Sequence, residues 1–161
     1  MMAAQTVLVK MAEISVVENA SGESYTLKTT LGSCVGVILS DEKRGVHGLA
    51  HILLPKRLQC DPVIGKYADT AIPALVEEME RRGCRRKDLK AYVVGGACMF
   101  ESFNVNGYSN VGDKNVAEAK RVLESHSIPV VFEETGGNSG RTVAFDGVEG
   151  KVMVRTLAKI A

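Results

Sequence analysis

The sequence predicts a mixed α/β domain of the α+β kind, mostly antiparallel sheet with two principal helices. Three observations predict it. Short β-branched and Thr-rich runs recur along the chain, separated by Gly- and Asn-containing turns. Apolar residues fall at helical spacing in two segments. Pairs of apolar runs flank short polar bends, the pattern of hairpins.

In chain order, Val7 to Val17 reads as strand, with a break near Ala12. The polar stretch Glu18 to Glu23, with Asn19 and Gly22, reads as a turn. Ser24 to Thr30 suits a strand, interrupted by Leu31-Gly32-Ser33. Val35 to Leu39 and Val46 to Leu54 flank the charged bend Asp41 to Gly45, a hairpin that stops at Pro55. Lys56 to Gly65 reads as a loop. A helix is expected over about Thr70 to Arg82, because Ile72, Leu75, Val76 and Met79 form one apolar stripe. Pro73 then falls in its first turn, where proline is tolerated, and Gly83 ends it. Leu89 to Val94 is a strand. A second helix covers about Asp113 to Ser125, with Val116, Ala119, Val122 and Leu123 on one side. Val130 to Phe132 is a strand, Thr135 to Arg141 a polar loop, and Thr142 to Phe145 with Lys151 to Leu157 a last hairpin. About eight strands result.

The 161 residues suit a single domain spanning 1–161, large enough to fold without a disulfide or metal staple. Hydrophobic residues make up 45% and charged residues 24%, an ordinary soluble composition. Twenty basic residues against nineteen acidic ones give a net charge of +1, which argues against a strongly basic nucleic-acid binder. Arg81, Arg82, Arg85, Arg86 and Lys87 form a basic run, read as a solvated helix end. No apolar stretch reaches the roughly 20 residues of a membrane span, and Lys10 and Glu13 interrupt any signal-peptide core. A cytoplasmic location is expected. Cys34, Cys60, Cys84 and Cys98 show neither Cys-x-x-Cys nor metal-type spacing, so thiols are expected.

The hairpin supplies the chemistry. A turn centred between Glu42 and Lys43 sets Cys34 directly opposite His51, with Cβ atoms about 4.5–5.5 Å apart. A thiolate is the nucleophile in such pairs, and a neighbouring His stabilises it and moves the proton. Gly32 lets the backbone approach a substrate, and amides around Gly32, Ser33 and Cys34 could hold an oxyanion. Thr29 and Thr30 are the nearest groups that could orient the imidazole. Against this stands the ordinary reading, in which the cysteine is a small buried hydrophobe and the histidine a satisfied core residue. His47 is the competing base; in this register it faces Ile38, nearer the turn. His126, at a helix end, is expected to be solvated.

Leu31-Gly32-Ser33-Cys34-Val35 and Gly48-Leu49-Ala50-His51-Ile52-Leu53-Leu54-Pro55 resemble the CheD family of chemoreceptor glutamine deamidases. So do Gly65-Lys66-Tyr67-Ala68-Asp69-Thr70-Ala71 and Gly95-Gly96-Ala97-Cys98-Met99-Phe100, then Gly112, Asn115, Thr135-Gly136-Gly137-Asn138 and Arg141. The resemblance runs in order along nearly the whole chain. It implies an αββα-type sandwich, similar to deamidating toxin domains, bearing a Cys–His–Thr triad. Carried over by position, Cys34 is the nucleophile and His51 the base. The family's threonine lies a few residues before the cysteine, six in some members; that position here is Lys28, so Thr29 and Thr30 both stay open. Cys98, where serine is common, reads as a small-for-small exchange.

The implied reaction converts receptor glutamines to glutamate through a cysteine thioester, releasing ammonia, with no metal or organic cofactor. The implied partners are the cytoplasmic helices of chemotaxis receptors and a CheC-type phosphatase, with no nucleic acid and no membrane insertion. Met99 and Phe100 are a candidate contact surface. Rival readings are a binding regulator of the phosphatase with weak catalysis, and a transglutaminase or methylesterase using the same thioester. A nucleotide site in Gly136 to Arg141 is disfavoured, because that loop lacks the Gly-Lys-Ser/Thr ending of a P-loop and leads into no helix.

Overall fold

The structure is a computed structural model that describes residues 3–19, 23–99 and 111–158. Nine strands and two α-helices run in the order β1 (Ala3–Leu8), β2 (Ile14–Glu18), β3 (Glu23–Leu31), β4 (Val35–Asp41), β5 (Val46–Ile52), α1 (Ala68–Arg81), β6 (Lys90–Gly95), α2 (Val111–Ser125), β7 (Val130–Thr135), β8 (Arg141–Asp146) and β9 (Lys151–Thr156). They form two packed sheets, one ordered β1-β3-β8-β9 and the other β2-β5-β4-β6-β7. Most pairings are antiparallel; β1 with β3 and β6 with β7 are parallel.

The α+β class with two sheets and two helices agrees with the sequence. Residues of α1 and of α2 share one core cluster with Val35, Val37, Leu39, Ala50 and Val93, so both helices lie on the five-stranded sheet. Among the described residues no helix covers the outer face of the four-stranded sheet. Strands β4 and β5 therefore lie between two cores, and every residue of both is buried. Their near-continuous apolar sequence follows from burial on both faces.

The strand read as Val7 to Val17 divides at Ala12, whose φ is +66°, and its halves join different sheets. Helix α1 starts at Ala68, earlier than expected, so Pro73 is its sixth residue and cannot donate a bond to the Asp69 carbonyl. The helix closes as expected: Gly83 has φ +93°, with Gly83 N–H to Glu80 O at 3.0 Å and Cys84 N–H to Met79 O at 3.1 Å. The basic run that follows is largely paired, Arg81 with Glu77, Arg82 with Glu78 and Arg86 with Glu80.

Two glycines seat α2 against the end of β6. A Cβ on Gly112 would lie 2.4 Å from the Gly96 carbonyl oxygen, a distance no real contact shows. On an open helix, Gly to Ala gains about 1 kcal/mol. Here backbone meets backbone, so the sign inverts: Gly112→Ala is expected to destabilise the fold by at least about 1 kcal/mol in urea unfolding.

Candidate active site

The ends of β3, β4, β5, β6 and β8 meet at one end of the sandwich. His51 lies near the end of β5 and points between the sheets with Leu49, while its neighbours Ala50 and Ile52 face the helices. Thr29 comes from β3 in the opposite sheet. Its hydroxyl donates to the Val9 carbonyl at 2.6 Å and lies 2.7 Å from His51 Nδ1. A hydroxyl has one proton, and Val9 takes it. Nδ1 must therefore carry the proton of the His51–Thr29 bond, which leaves Nε2 with its lone pair. That Nε2 is buried and has no hydrogen-bond partner. A buried nitrogen left open in this way calls for a functional account.

Cys34 reaches the same inter-sheet face, half-buried against the cluster of Leu31, Ile38, Leu49 and Val94. The hairpin turns one residue later than expected, so Gly36 and not Cys34 stands opposite His51. The offset is two residues. It preserves the face and makes Cys34 a diagonal neighbour, a relation that spans about 7–8 Å in a regular sheet. No hydrogen bond joins the sulfur to Nε2.

Burial pushes the Cys34 thiol above its ordinary range, opposed by its own backbone N–H. Burial also holds His51 below the ordinary histidine range, opposed by the Val9 carbonyl. Both directions favour the uncharged forms, so the resting pair is neutral thiol and neutral imidazole.

The Gly32–Cys34 loop is fixed from outside. Ala97 N–H bonds the Gly32 carbonyl at 3.0 Å and Gly96 N–H the Cys34 carbonyl at 2.9 Å. Asn115, fully buried on α2, donates through Nδ2 to Ser33 O at 3.0 Å and Leu53 O at 2.9 Å. It thus ties the Cys34 loop to the segment just after His51. Nothing in its spacing marked Asn115 beyond its place in the family resemblance. Gly95, with φ +108°, lets Cys34 O come within 2.4 Å of where a Cβ would be.

Of the other residues singled out, Thr30 points away, exposed, with its hydroxyl 3.3 Å from that of Thr142. His47 faces Ser40, not Ile38. Its Nδ1 is 2.8 Å from Ser40 Oγ and its Nε2 is 3.4 Å from Asn19 Nδ2, so neither nitrogen is open. His126 is partly buried and its Nδ1 bonds the Val122 carbonyl at 2.9 Å. Gly136 to Arg141 leads into β8 and forms a rim: Gly136 N–H bonds Gly95 O, and Cys98 N–H bonds Gly137 O. Met99 is exposed and packs near Gly32, whereas Phe100 lies outside the described residues. The described His, Cys, Asp and Glu residues form no metal-type cluster.

The neutral pair has a direct consequence. Iodoacetamide modification of Cys34 in the free protein is expected to rise with a midpoint above the free-thiol value of about 8.5, since the folded thiol holds its proton to higher pH. A midpoint below that value would mean a preformed ion pair.

Comparison with known proteins bears on the chain as a whole. A family model described as CheD chemotactic sensory transduction matches residues 53–156. A Clostridium kluyveri protein named probable chemoreceptor glutamine deamidase CheD is 41% identical over 142 residues, covering 86% of this chain and 88% of that protein. A Clostridium novyi protein of the same name is 43% identical over 129 residues, covering 79% of this chain and 80% of that protein. A crystal structure of a Neisseria meningitidis protein covers 84% of this chain and 64% of its own, with TM-score 0.48 and 11% identity.

Proposed function

This chain belongs to the CheD family, and we propose that it is a protein-glutamine deamidase acting on chemotaxis receptors, with Cys34 as nucleophile, His51 as base and Thr29 as the residue that orients the base. One observation supports the assignment most: the Thr29 hydroxyl accepts from Nδ1, which leaves a buried, unpartnered Nε2 on the face that Cys34 shares.

The chemistry follows from those atoms. The substrate carboxamide enters between Cys34 and the sandwich end. His51 Nε2 takes the thiol proton as sulfur attacks the carboxamide carbon, so charge develops only with substrate in place. The imidazolium is then stabilised by Thr29 and the Val9 carbonyl. The oxyanion falls to backbone amides of the Gly32–Cys34 loop. The carbonyls of that loop are all bonded inward, and the Cys34 N–H lies beside its own sulfur. Imidazolium returns the proton to the departing nitrogen, ammonia leaves, and a thioester remains. Water, deprotonated by His51, hydrolyses it to glutamate and regenerates the thiol. None of these steps calls for a metal or organic cofactor.

A cytoplasmic location belongs to the same reading. All four cysteines are free, and no helix among the described residues is long and apolar enough to cross a membrane. A CheC-type phosphatase remains a proposed partner, carried by the family resemblance. Binding to it without catalysis would need neither an open Nε2 nor a threonine-fixed tautomer, so the geometry favours the enzyme.

Cys34→Ala is expected to lower glutamine-to-glutamate conversion by about 10³-fold or more, read by mass spectrometry of receptor peptides. Undiminished conversion would exclude the assignment. Thr29→Val is expected to lower kcat by about tenfold or more, while Thr29→Ser and Thr30→Val stay near wild type. Equal losses in Thr29→Val and Thr30→Val would remove Thr29 from its role.

A further inference from the structure

The bare face of the four-stranded sheet carries a trough that leads to the catalytic end. Its floor is small: Thr30 pairs with Thr142 across β3 and β8, and Ala144 lies one row back. Tall residues stand around it. Lys28 pairs with Leu8 on one side and with Ala144 on the other, and Ala144 pairs with Met153, so Leu8, Lys28, Ala144 and Met153 form one cross-strand row. Thr142 pairs with Arg155, which closes the next row toward the site. Leu8 and Met153 are 63% and 56% exposed, so the trough has an apolar wall on each side and no cover among the described residues.

The trough is continuous with the site. One concavity of about 380 Å³ includes Lys28, Thr30, Thr142, Ala144, Met153 and Arg155. A second, of about 280 Å³, includes Thr29 and His51 with Leu8, Lys10, Met11, Lys28 and Thr30. Lys28 and Thr30 belong to both.

Its charge is one-sided. The side-chain cations of Lys10, Lys28 and Arg155 are exposed and form no ion pair among the described residues; the Glu13 carboxylate accepts from the Lys10 backbone N–H at 3.1 Å. Asp146, the acid on this face, lies at the far end and caps the β8–β9 turn through Val148 and Glu149 N–H. Lys151 is paired with Glu149. The cations therefore cluster toward the catalytic end while the whole chain is near neutral, with net charge +1. Four strands at about 4.8 Å spacing give a floor and walls about 14 Å across, enough for one helix of about 10–12 Å diameter. An extended strand would instead pair along an edge, where neither the cations nor the small floor would be used.

We propose that this trough docks an acidic, amphipathic helical segment of the substrate, with Lys28, Arg155 and Lys10 pairing with carboxylates that flank the target glutamine. The proposal rests on the deamidase reading and names what selects its substrate. The helix lies against Leu8 and Met153, its acidic side chains meet the cations, and the glutamine is delivered over the sandwich end to Cys34.

The test uses the full chain with Lys28→Glu and Arg155→Glu, singly and together, and a purified chemoreceptor cytoplasmic fragment. Both side chains are exposed, so the fold tolerates the exchange. The double variant is expected to raise KM by about tenfold at low salt with kcat little changed, and the gap should close near 0.5 M NaCl. In a Cys34→Ala background its affinity for the fragment should fall by the same factor. Changing the fragment's acidic residues beside the glutamine to Lys should restore the double variant. Unchanged KM and affinity, or a loss confined to kcat, would overturn the proposal. So would a double variant that loses only binding to phosphatidylserine vesicles, or only self-association in sedimentation. Absence of glutamate in the wild-type product would instead count against the deamidase reading, and the affinity measurement would still decide the trough.

Discussion

One short chain of hydrogen bonds, Val9 carbonyl to Thr29 hydroxyl to His51 Nδ1, spans the gap between the two sheets. Thr29 belongs to β3 of one sheet and His51 to β5 of the other. The chemical state of the imidazole therefore depends on how the sheets pack. Remove the partner in one sheet and the tautomer in the other is no longer set. The inter-sheet core of Leu27, Leu31, Ile38, Leu49, Val143 and Phe145 holds these groups in place as well as stabilising the fold.

The sulfur is held by a different device. Cys34 lies outside regular structure, on a loop whose three carbonyls are each bonded by groups from β6's end or from α2. Asn115 reaches from the helix layer through to both Ser33 and Leu53. The arrangement thus draws on three layers: Thr29 of one sheet bonds His51 of the other, and Asn115 of α2, with the residues after β6, holds the Gly32–Cys34 loop. Burial raises the Cys34 thiol and lowers the His51 imidazole, so both directions favour the uncharged forms.

The two histidines show how the same burial serves opposite ends. His47 and His51 lie four residues apart on one face of β5. His47 has Ser40 and Asn19 on its two nitrogens and lies tilted against Phe145, ring centroids 5.1 Å apart, an ordinary satisfied core histidine. His51 has one nitrogen held and one open. Nothing in their sequence neighbourhoods separates them as sharply.

Local pattern determined a good deal by itself. Alternation, turn residues and helical stripes located nearly every strand and both helices, because these signals depend on neighbours within a few residues. They also put Cys34 and His51 on one face, since parity survives the two-residue error in register. The tertiary structure alone decided what depended on distant residues. Thr29 was separated from Thr30 because only one of two consecutive strand residues can face the opposing sheet. Both helices went to one sheet because the apolar stripes of α1 and α2 fit the same buried strands. Asn115 entered the site because helix packing brought it 82 residues back along the chain to Ser33. Such contacts come from packing between elements, and no window of sequence contains both partners.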